Sequence, residues 1–65
     1  MNCLTNQEIE ITRLIAAGLR NIEIAKSLNI SVSTVKTHLE HIFEKTNSKS
    51  RVEVAVKYVK HTLAE

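Results

Sequence analysis

The chain has 65 residues with one cysteine, one glycine, no proline, no tryptophan and a net charge of +2. That length makes one small domain stabilised by helix packing, with self-association as a further source, because the lone Cys3 closes no intrachain disulfide. No apolar run is long enough to span a bilayer, no charged-then-apolar leader is present, and the scarcity of aromatics argues against a base-stacking single-strand binder.

The composition reads as all-α, and four helical segments follow in chain order. In the first, Thr5 and Glu8 have capping-box spacing, and Ile11, Leu14, Ile15 and Leu19 recur at helical intervals. Gly18 is the expected stop, since glycine takes the left-handed conformation cheaply. The second segment starts near Asn21 as N-cap, buries Ile24, Ala25 and Leu28, and ends at Asn29. Ser31 caps the third, whose Val35, Leu39, Ile42, Phe43 and Thr46 line one side. A break of about three residues between the second and third segments is the length of a helix-turn-helix turn. Asn47, Ser48 and Lys49 form a polar loop. Ser50 and Glu53 repeat the capping-box spacing, and the fourth segment runs to about Leu63.

A helix-turn-helix can lay its second helix in the DNA major groove. The charge distribution leans the same way: residues 1–30 balance to zero, and residues 31–65 carry six Lys/Arg against four Glu. Opposite the apolar side of the third segment lie Ser33, Thr37, Glu40, His41 and Glu44, with Lys36 on the flank. Lys36 suits a guanine or a phosphate, and Thr37 an edge or a thymine methyl. Ser31, Ser33 and Thr34 stand where a helix N-terminus holds phosphate. Taken singly, Ser31 and Thr34 also fit ordinary capping, and Lys36 an ordinary solvated lysine. Glu40 leaves three readings open: selectivity through a cytosine amino group, repulsion of phosphate, or an i,i+4 pair with Lys36.

These motifs together resemble the LuxR/FixJ-type (GerE-type) DNA-binding domain of bacterial transcription regulators. The resemblance covers Leu4 to about Tyr58 through LTNQEIEI (4–11), LIAAGLRNIEIAKSL (14–28), ISVSTVKTHLEHIFEKT (30–46) and SRVEVAV (50–56). It implies a compact four-helix domain across residues 1–65, with the third helix as recognition helix and dimeric binding to a two-part promoter site. By position it carries base contacts to Lys36, Thr37 and Glu40, and phosphate contacts to Thr34, Lys45 and the start of the second helix. The chain departs from the family pattern at Glu40, at Ile22 (often lysine) and at Thr12 (usually leucine).

The fourth segment has two apolar sides. Val52, Val56, Val59 and Leu63 make one stripe, and Val54, Tyr58 and partly Ala55 the other. A terminal helix of a small monomer needs one buried face, so the first stripe is assigned to a homodimer and the second to the core, as the resemblance also implies. No nucleophile–base spacing and no glycine-rich loop suggest an enzyme, and no cofactor is expected. Cys3, His38, His41 and His61 lack structural zinc spacing; His38 and His41 read as a flank residue and a solvated one, so no metal is expected. The rival reading is a dimerisation or protein-interaction module with a weakened DNA face. The motif begins three residues in with no sensing module before it, so the chain reads as the output domain of a response regulator or other longer cytoplasmic regulator, with RNA polymerase a candidate further partner.

Overall fold

The computed structural model describes residues 3–64, and its element order is α1 (Asn6–Ala16), α2 (Asn21–Leu28), α3 (Val32–Lys45) and α4 (Arg51–Ala64). No strand occurs among the described residues. The expected domain of residues 1–65 includes residues 1, 2 and 65, which lie outside them.

Local chemistry explains each helix boundary. Thr5 and Glu8 close the expected capping box on α1: the Glu8 amide donates to Thr5 Oγ1 at 3.2 Å and the Thr5 amide to Glu8 Oε1 at 2.9 Å. At the other end Gly18 has φ +92°. Its amide donates to the Ile15 carbonyl and that of Leu19 to the Leu14 carbonyl, the paired bonds of a Schellman stop. Asn29 (φ 57°) repeats this device after α2 and Asn47 (φ 52°) after α3, so the segment expected as a polar loop begins with a third left-handed stop.

Three boundary details differ from expectation. Asn21 is the first residue of α2 rather than its N-cap; Arg20 holds that position, and its amide donates to Glu23 Oε1 at 2.7 Å. The Asn21 side chain has another task, accepting from Arg51 Nη1. At α4, Ser50 Oγ accepts from the Glu53 amide as expected, but Glu53 Oε2 accepts from the Lys49 amide, one residue before the box position. Thr46 is a half-buried capping residue rather than part of the apolar side, and its hydroxyl donates to the Ile42 carbonyl.

The core forms where the apolar faces meet. Ile11, Leu14 and Ile15 come from α1, Ile24 and Ala25 from α2, Val35, Leu39 and Ile42 from α3, and Val54 from α4. Ile11, Ile24 and Ile42 are fully buried, and burial of each such side chain stabilises the fold by about 1.5–3 kcal/mol. Thr12, the departure from an apolar pattern, is also fully buried; its hydroxyl donates to the Glu8 carbonyl at 2.8 Å, so the polar group is satisfied. The main packing partner of α4 is α1, while α2 and α3 pack on each other. Two cations also tie α4 to the α2–α3 pair. Arg51 donates to Asn21 Oδ1 and to the Leu19 carbonyl before α2. Lys57 donates to the Thr46 and Asn47 carbonyls after α3.

Candidate nucleic-acid interface

Val35, Leu39 and Ile42 seat α3 in the core, which turns the opposite side of the helix outward. Ser33, Thr34, Lys36, Thr37 and Glu40 are all exposed, as is Lys45 at the C-terminal end of α3, where it reaches Glu8 of α1. The turn before α3 is set by Asn29 in the left-handed region, which reverses the chain within three residues of α2.

The N-terminus of α3 differs from its neighbours. Helices α1, α2 and α4 carry Glu8, Glu23 and Glu53 in their first turns, whereas α3 has no acidic residue there. Its positive dipole end is therefore offset by no carboxylate of its own first turn. Ser31 Oγ accepts from the Thr34 amide at 3.0 Å and lies 2.8 Å from Thr34 Oγ1. Those two hydroxyls cap the helix, Ser31 Oγ taking the Thr34 amide. Thr37 Oγ1 donates to the Ser33 carbonyl at 3.2 Å, so this hydroxyl is left with acceptor capacity toward a partner. Lys36 lines a shallow groove together with Arg20, Ile22, Val32, Arg51 and Val52. Ile22, where the family pattern favours lysine, is 54% exposed.

Lys45 has a partner within the protein. Its ammonium donates to Glu8 Oε1 at 2.8 Å, and Glu8 is only 3% exposed. Burial pushes the Glu8 carboxyl pKa up. Hydrogen bonds from Lys45 and from the backbone of Thr5, the charge of Lys45 and the Thr5 side chain outweigh it, and hold the pKa below its ordinary value. His41 Nδ1 lies 3.9 Å from the other oxygen, Glu8 Oε2. His38 is half-buried, and its Nδ1 is closed to solvent with no hydrogen-bond partner among the described residues. Glu8, His38 and His41 each bring one ligand-type atom within 4.8 Å of the others.

Sequence reasoning missed this cluster and the two tying cations. Glu8 was legible only as a cap. One signal for Arg51 exists: a cation opening a helix opposes the dipole, so it needs a compensating partner. On α4, Val52, Val56, Val59 and Leu63 are exposed, by 71% and 79% at the two ends, while Val54 is buried and Ala55 and Tyr58 are half-buried.

The fold and this surface define a four-helix domain containing a helix-turn-helix whose third helix is presented outward. The chain belongs to the family described as bacterial regulatory proteins, luxR family, which it matches over residues 2–58. It is 52% identical over 56 residues to the nitrate/nitrite response regulator protein NarL of Escherichia coli K12, covering 86% of this chain and 26% of NarL. It is 44% identical over 62 residues to the oxygen regulatory protein NreC of Staphylococcus carnosus, covering 95% and 29%. The response regulator protein VraR of Staphylococcus aureus is 39% identical over 62 residues, covering 95% and 30%. The chain thus spans less than a third of the length of these relatives.

Proposed function

We propose that the protein binds double-stranded promoter DNA sequence-specifically, as the output domain of a cytoplasmic response regulator or similar transcription regulator. The observation that carries this reading is the exposed outer side of the first half of α3, with no carboxylate in the first turn. Lys36, Thr37 and Glu40 read base edges; Ser33 and Thr34 hold the backbone at the helix N-terminus. Lys45 contributes a weaker phosphate contact, because one of its three donors serves Glu8. Two copies joined through Val52, Val56, Val59 and Leu63 occupy the two halves of the site, and RNA polymerase is the further partner through which bound protein acts.

The test is anisotropy on duplexes selected from a random pool, read between about 50 and 200 mM salt, where phosphate contacts make affinity fall steeply. Lys36→Ala is expected to lower affinity about tenfold or more and to flatten the salt dependence by about one contact. Unchanged affinity and selectivity in that variant would remove Lys36 from the reading face. Exposed Glu40 and Glu44 on α3 favour the second reading, a protein-interaction module; it is adopted if no duplex binds at low salt.

A further inference from the structure

We propose that Glu8, His38 and His41 form a binding site for a borderline divalent transition ion, with zinc the best-fitting member, joining the first turn of α1 to the middle of α3. Two imidazoles and one carboxylate are a donor set suited to this class of ion. The two histidines stand three apart on one helix, a spacing that puts side chains on a common face and that helix-borne metal ligands use. Glu8 comes from a different helix and brings its carboxylate to them, so that the three ligand-type atoms lie within 4.8 Å of one another.

The carboxylate is divided for the task. The Thr5 amide and Lys45 Nζ both donate to Oε1, which orients the group and leaves Oε2 facing His41 Nδ1 at 3.9 Å. Carboxylates that ligate metals are commonly held by hydrogen bonds of their own. His38 adds an imidazole whose buried Nδ1 has no partner among the described residues, so no protein hydrogen bond at that atom fixes its tautomer. Ligands about 2.0–2.1 Å from a tetrahedral zinc stand roughly 3.3 Å apart, so the Glu8–His41 pair must close by about half an ångström and the widest-spaced pair by up to about 1.5 Å. The His41 side chain is 53% exposed and free to turn that far. Three protein ligands leave the fourth position of a tetrahedral ion to water. The site is independent of the DNA reading.

The experiment is a titration of the untagged full chain with zinc chloride at pH 7.5 in a non-coordinating buffer, in a Cys3→Ser background that removes the exposed thiol. One ion per chain is expected by calorimetry, with the ring signals of His38 and His41 shifting together in NMR spectra and the melting temperature rising with zinc. His41→Gln should weaken binding by at least about tenfold, and its exposed position keeps the helical signal intact. His61→Gln should leave the affinity unchanged. The proposal fails if no saturable binding occurs up to millimolar zinc, if His41→Gln binds as tightly as its parent, or if His61→Gln is the variant that loses the ion.

Discussion

Glu8 shows how much a single side chain can hold. It caps α1, accepts from Lys45 across 37 positions of sequence, and is nearly excluded from water. Replacing Lys45 by methionine strands that carboxylate. The expected loss at pH 7 is about 1–2 kcal/mol in urea unfolding, below the value for a fully buried pair because the Lys45 side chain is 35% exposed. The pH dependence has a definite sign. A carboxyl whose native pKa lies below its ordinary 4.5 contributes stability that is complete above 4.5 and disappears as pH falls through the native value. The stability gap between parent and Lys45→Met should therefore be wide at pH 7 and narrow at pH 3. An equal gap at both pH values would show that the charge of Glu8 is not its source. From sequence, Thr5 and Glu8 were legible as a box because their spacing is local. The role of Lys45 was not, because nothing in local periodicity says which residue of α3 arrives beside α1.

At the scale of elements, the stops matter as much as the caps. Gly18, Asn29 and Asn47 all take positive φ and close the same pair of hydrogen bonds. Asn29 has the greater consequence, because it sets the turn between α2 and α3. Asn29→Ala is expected to cost about 1 kcal/mol from left-handed strain, lowering the melting temperature by roughly 4–8 °C, whereas Asn29→Gly should be close to neutral. If alanine and glycine melt alike, the left-handed turn is not what holds that junction. All four helices were readable from period and capping residues, and Gly18 and Asn29 were readable as stops. Asn47 was not, since a polar run hides which residue reverses the chain. The displaced bond from the Lys49 amide to Glu53 was also invisible, because the box spacing alone does not say which amide the carboxylate will meet.

At the scale of the whole molecule, 31 Å in its longest dimension, one apolar strip has no cover among the described residues. Val56 and Val59 are 45% and 46% exposed, so a charge there costs the isolated domain little. Val59→Glu should leave urea unfolding within about 0.5 kcal/mol of the parent. It should weaken binding to a two-half-site duplex while sparing a single half-site; equal effects on both duplexes would place the contact between copies elsewhere. The split between Val54 and this strip was legible from the helical wheel, because an amphipathic pattern with two apolar sides cannot bury both in a small domain. The attachment of α4 to its neighbours was not. Arg51 ends on neutral oxygens, and Lys57 donates to two carbonyls with the Glu53 carboxylate 4.0 Å away. Dissolved ions screen a pair of opposite charges more than they screen a cation seated on carbonyl dipoles. Under the two-site reading, this gives the joint between strip and recognition helix the character of a fixed gauge. Raising salt should loosen the grip on DNA, yet the number of base pairs preferred between half-sites should stay the same.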